Sequence, residues 1–92
     1  AKAPLVAAPP IAVPNPFSGS TTLNYDLVES APVEVALIDL MGHEVYHVAS
    51  GYQSAGRHAE VIDATRLAPG FYQFELRVGG VVASRGRLSL LR

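Results

Sequence analysis

Apolar and polar residues alternate along most of this chain, most plainly from Val33 onward. Val33, Val35 and Leu37 interleave with Glu34, Ala36 and Ile38, the period-two pattern of a strand that buries one face. Asp39-Leu-Met-Gly42 interrupts the pattern, and Glu44 to Ala49 resumes it with strand-forming residues. The stretch 33–51 therefore predicts a β-hairpin whose turn uses a positive φ at Gly42. Val45 and Val48 cannot share a face of a regular strand, which predicts a bulge or change of face near Tyr46 or His47.

The same reading applied elsewhere gives more short strands. Ile11 to Val13 suits an edge strand. Thr21 to Leu27 places Leu23, Tyr25 and Leu27 inward against Thr22, Asn24 and Asp26 outward. Arg57 to Asp63 is a strand of ambiguous register, with His58, Glu60 and Ile62 on one face and Ala59 and Val61 on the other. Gly70 to Val78 turns Tyr72, Phe74, Leu76 and Val78 inward, Gly79-Gly80 makes a two-residue turn, and Val81 to Leu91 closes the series with Leu88 and Leu90 on one face. Strands at roughly ten-residue spacing and no helical period predict an all-β protein: an antiparallel immunoglobulin- or fibronectin-like β-sandwich of about seven strands. Leu67-Ala-Pro-Gly70-Phe-Tyr72 fits a crossing turn between sheets, with the Tyr72 hydroxyl bonded back to the turn's backbone.

Residues 1–13, rich in Ala, Pro and Val, predict an extended linker or edge segment, and 14–92 the sandwich. Pro14, Asn15 and Pro16 fix the chain direction at the start of the sandwich, so that Phe17 plugs one end of the core. The prolines interrupt any signal-peptide core, and the opening reads as the continuation of something longer.

Composition narrows the chemistry. A 92-residue chain that is 49% hydrophobic can bury one core. A net charge of −1 without a basic cluster gives nothing to attract nucleic acid. There is no cysteine for a disulfide or thiolate site, and no run reaches the ~18 apolar residues of a membrane span. His43 and His47 are four apart, which faces them together on a helix but not on a strand. His58 suits a packed, hydrogen-bonded imidazole, so no metal site and no cofactor are expected. No nucleophile elbow accompanies the serines, histidines and Asp39 or Asp63, so no catalytic residues and no enzyme activity are expected either. Asp63 suits an Asx turn. Tyr46, Tyr52 and Phe71 are the aromatics left for a carbohydrate platform or for loop packing. Arg85, Arg87 and Arg92 suit charges that guard an exposed last strand.

Taken in order, Pro14-Asn-Pro-Phe17, Asp39-Leu-Met-Gly42-His-Glu-Val45, Gly56-Arg-His58 with Asp63, Leu67-Ala-Pro-Gly70-Phe-Tyr72 and Arg87-Leu-Ser-Leu-Leu-Arg92 carry a family likeness. From about Val13 to Arg92 the chain resembles the type A C-terminal sorting domain, or Por secretion tail, of the bacterial type IX secretion system. Several of these landmarks are shared with the immunoglobulin-like domain of the flagellar hook-capping protein. The chain departs from the family pattern at Glu60, where an apolar residue is usual, at Ile62, often aromatic, and at Arg87, typically Lys. The resemblance implies a sorting signal at the end of an exported protein of the Bacteroidetes and related bacteria, behind a passenger in the same chain. It implies passage through the periplasm to the cell surface or beyond, with the outer-membrane translocon, its shuttle proteins and a sortase-like peptidase as partners. By analogy, cleavage would fall in the linker, with Ala7-Ala8 as a small-residue site. The family's terminal basic residue also points to Arg85, Arg87, Leu88, Ser89, Leu90, Leu91 and Arg92 as the strand the machinery reads, partly through unpaired edge amides and carbonyls. An accessory carbohydrate-binding or structural immunoglobulin-like module, of an extracellular enzyme or a hook-cap protein, is the alternative.

Overall fold

Seven strands, β1 (Ile11–Val13), β2 (Ser20–Leu27), β3 (Ala31–Ile38), β4 (Glu44–Gln53), β5 (Gly56–Asp63), β6 (Gly70–Val78) and β7 (Val81–Leu90), make up the computed structural model, which describes residues 5–91. They form two sheets, ordered β1-β2-β5 and β4-β3-β6-β7, with every strand pair antiparallel. There is no helix among the described residues. The expected sandwich is what forms, and its core lies where alternation put it. Leu23, Tyr25 and Leu27 of β2 meet Val33, Val35 and Leu37 of β3, Tyr72, Phe74, Leu76 and Val78 of β6, and Leu88 and Leu90 of β7. Phe17 is buried against them, and Ile62 settles the register of β5 with His58 and Glu60 half-buried on the same side.

One local expectation is met and another is corrected. The β3–β4 register shifts between Leu37 and Ile38, leaving Val45 unopposed, and again between Val33 and Glu34, leaving Ser50 unopposed. One irregularity thus falls at Val45, next to Tyr46 where it was expected, and a second at Ser50, which the pattern did not show. An unpaired residue at Val45 resets the alternation, so Val45, Tyr46 and Val48 can all pack against the core. Ala36, on the outward face of β3, is fully buried. Its ladder partners are Glu75 of β6 and His47 of β4, and a methyl group between two longer side chains has little surface left for water.

The turns follow the expected chemistry. The Tyr72 hydroxyl donates to the Ala68 carbonyl across the crossing turn. Asp63 Oδ1 accepts from the Thr65 amide at 3.1 Å and from its hydroxyl at 2.8 Å. Gly42 takes φ +86°, in the left-handed region open to glycine.

The two sheets are joined along both sides. On one, the Ser50 hydroxyl of β4 donates to Glu60 of β5, and the Asp63 amide donates to the Tyr46 hydroxyl at 3.3 Å. On the other, the chain from Leu5 runs along β2: Val28 N donates to Leu5 O at 3.2 Å, Ala7 N to Asp26 O at 2.9 Å, and β1 pairs with Thr22–Asn24. It then crosses to the other sheet through Pro14–Pro16, with cis peptides at Val13–Pro14 and Asn15–Pro16. The buried Thr21 hydroxyl holds the crossing by donating to the Pro14 carbonyl at 2.6 Å.

Candidate recognition surface

β7 is an edge strand whose outward face carries Arg85 and Arg87, opposite the buried Leu88 and Leu90. The two arginines differ in what they face. Arg85 Nε donates to Glu75 Oε2 at 3.2 Å. Glu75 Oε1 also accepts from Arg77 at 3.0 Å, and the same guanidinium nitrogen reaches Glu44 at 2.7 Å. The result is a row of alternating charge across the outer face of the four-stranded sheet. Hydrogen bonds from Arg77 above all, then from Arg85, hold the Glu75 carboxyl below its ordinary value, and Glu44 and Glu75 push Arg77 up. Arg85 is therefore neutralised locally. Arg87 stands opposite the uncharged Gln73, and no ion pair holds its guanidinium among the described residues.

The edge of β7 corrects another expectation. Half of it is already covered. Asn15 Nδ2 donates to the Arg87 carbonyl at 2.9 Å, and Asn15 Oδ1 accepts from the Ser89 amide at 3.0 Å. Phe17 N then donates to Ser89 O at 3.0 Å, and Leu91 N to Phe17 O at 2.8 Å. The Asn15 side chain thus presents an amide where a neighbouring strand would, and the backbone of Phe17 continues it. By the two-residue alternation of an antiparallel ladder, Arg85 is the next residue back whose amide and carbonyl face off the edge. Leu91 is exposed, Ser89 is half-buried, and Arg92 lies outside the described residues.

The other candidate residues fall apart as a site. His47 pairs with Glu34 at 2.5 Å, and His43 lies 3.7 Å from Asp39. His58 stacks on Tyr25 at 5.5 Å between ring centroids and donates from Nε2 to Ser54 O at 2.7 Å. No group of three or more His, Asp or Glu side chains suited to a metal ion occurs among the described residues. Tyr46 is half-buried, while Tyr52 lies beside Pro32 and Phe71 beside Ser89, at opposite ends of the four-stranded sheet. They make no common platform. Burial, and secondarily Glu60, raises the Tyr25 phenol. Ala7 and Ala8 are exposed, the former by its side chain while its amide is paired.

Asn15, Glu75 and Asp39 are the residues whose part the alternation does not show. Asp39 Oδ1 accepts from the amides of Met41 at 2.9 Å and His43 at 2.8 Å, closing the β3–β4 turn. An Asp three residues ahead of a turn glycine is the signal for it. Asn15 between two prolines offers a side chain on a rigid support, but only the fold puts β7 beside it.

The family model described as "secretion system C-terminal sorting domain" matches residues 12–85. Among solved structures, an immunoglobulin-like protein from Pseudomonas aeruginosa superposes with a TM-score of 0.57 at 11% identity, covering 82% of this chain and 74% of that one. That likeness is one of fold. No curated protein matches the sequence.

Proposed function

Because the chain belongs to the secretion system C-terminal sorting domain family and is a sorting signal for type IX secretion, we propose that the export machinery reads it through side chains of β7 rather than through that strand's edge. A sorting domain of this family implies an exported chain with a passenger domain, bound for the cell surface or the extracellular space. In our reading the folded sandwich is recognised in the periplasm by the translocon and its shuttle proteins. A sortase-like peptidase then separates it from the passenger within residues 1–14, at Ala7-Ala8.

The observation that carries the proposal is the cover over Arg87–Leu91, where Asn15 and Phe17 take the edge groups a partner strand would need. Side chains remain available there, and of Arg85 and Arg87 only Arg87 has no ion pair among the described residues. A planar guanidinium held on a strand offers a two-pronged contact to an acidic partner. The test is a reporter fused ahead of the domain in a type IX-competent host, with variants first checked for an unchanged melting temperature. Arg87→Ser should hold the reporter in the periplasm, and Arg85→Ser should reduce surface delivery less. Equal surface delivery by the parent domain and both variants would confine the arginines to guarding the edge.

A further inference from the structure

We infer that the end of the sandwich bearing the β3–β4 turn is a docking site for an apolar peptide segment carrying one carboxylate. Four large apolar side chains stand out from this end of the molecule. Leu40 is 81% exposed, Met41 79%, Phe71 57% and Leu91 56%. Phe71 connects two shallow depressions. One, of about 280 Å³, lies between Leu40, Phe71 and Arg87; the other, of about 520 Å³, lies between Pro69, Phe71 and Leu91. Isolated exposed apolar residues are ordinary on a protein surface, but a run of them around a concavity marks a contact surface.

Charge decides what the surface would hold. Arg87 lines the first depression, and Gln73 opposite it carries no charge. Asp39 lines the same depression and keeps its charge, but its oxygens face the β3–β4 turn and make no ion pair with Arg87 among the described residues. Oδ1 accepts from two turn amides, and Oδ2 lies 3.7 Å from the His43 ring. Glu75, one outward position back on β6, is shared by Arg77 and Arg85. Arg87 is thus a single cation set among apolar side chains, complementary to one carboxylate flanked by apolar groups. A lipid surface fits less well, since one arginine in a chain of net charge −1 provides little attraction to anionic headgroups. That such a segment belongs to the export machinery rests on the sorting reading above. The docking itself does not.

The test uses the whole chain and the capped tetrapeptide Leu-Phe-Asp-Leu, followed by amide chemical shifts. Saturable shifts should centre on Leu40, Phe71, Arg87 and Leu91. The peptide with Asn in place of Asp should bind at least about 5-fold more weakly, the size of one modest charged contact. Arg87→Ser should remove that difference, and Phe71→Thr, at an exposed outward strand position and first checked for an unchanged melting temperature, should weaken both peptides about 10-fold. Equal binding of the Asp and Asn peptides would overturn the inference, as would shifts centred elsewhere. So would the same shifts produced by dilution of the chain alone, indicating a second copy, or by anionic phospholipid vesicles in preference to the peptide. In the reporter assay, failure of the parent domain to export sinks the sorting reading and leaves the peptide result standing. Export by the parent together with undiminished export by a Leu40→Ser, Phe71→Thr double variant sinks the link between this site and the machinery alone.

Discussion

Gly86 has no side chain where Phe74 needs the room. A Cβ on Gly86 would stand 2.3 Å from a ring carbon of Phe74, its direct partner across the β6–β7 ladder. Glycine within a strand often marks such a close approach. Gly86→Ala should cost about 1–3 kcal/mol as the ring is forced off its position, and Phe74→Ala about 3–5 kcal/mol through the cavity it leaves. The two residues share one space, so their effects cannot add. In a Phe74→Leu background, Gly86→Ala should be nearly free, as read from denaturant midpoints of the four proteins in the cycle. Full additivity would show that the ring avoids Gly86 in solution. Gly42 is the contrasting case. Nothing lies within 4 Å of a Cβ built there, so the expected loss from Gly42→Val comes from φ +86° alone. Alternation suffices to turn Phe74 inward, but it says nothing of which residue lies opposite. That is why the role of Gly42 is readable in the sequence and that of Gly86 is not.

Strands in the four-stranded sheet are tied on their outer face by charge. Arg77 reaches from β6 across β3 to Glu44 on β4, while Arg85 joins β7 to Glu75 on β6. The pairs are partly exposed, so each contributes at most about 1 kcal/mol. Their signature is in the pH dependence. Glu75 titrates lower in the folded chain than in the unfolded one, so its contribution is present above the ordinary glutamate value near 4.5. It is lost as pH falls through the lower folded value, because the unfolded chain then takes up the proton first. Melting temperature should therefore decline below about pH 4.5 less steeply for Glu75→Gln than for the parent. Identical slopes would mean that the carboxylate is free in solution. These ties were hidden in the sequence because Glu44, Glu75, Arg77 and Arg85 read only as outward residues, and pairing needs the strand order. The two bulges of β4 were half visible. The clash of Val45 with Val48 required an irregularity, but the hydrophobic pattern could not choose between neighbouring positions.

Across the whole molecule, the strap from Pro14 to Phe17 connects the first strand to the last. It is fixed to one sheet through Thr21 and to the other through Asn15 and Phe17, and it seats the buried Phe17 at the end of the core. The sequence marked Phe17 as a plug and left residues 1–13 as linker or edge. Residues 5–8 add main-chain bonds on the exposed edge of β2, whereas 9–17 contain β1 and the strap. This division gives a prediction about where the domain can be cut. A chain beginning at Pro9 loses the bonds made by Leu5 and Ala7 and the half-buried Val6, about 1–2 kcal/mol in all. Its melting temperature should fall by roughly 4–16 °C, given about 4–8 °C per kcal/mol for a domain of this size. A chain beginning at Ser18 loses Phe17 and the cover of β7 as well. Phe17 alone is worth about 3–5 kcal/mol, against the ~5–15 kcal/mol that a folded domain has. That chain should be unfolded or nearly so at 37 °C. Circular dichroism melts of both truncations decide the matter. If the chain beginning at Pro9 also unfolds, cleavage at Ala7-Ala8, which leaves only Ala8 ahead of Pro9, could not release a folded domain, and the separation from the passenger would have to lie upstream of the segment that runs along β2.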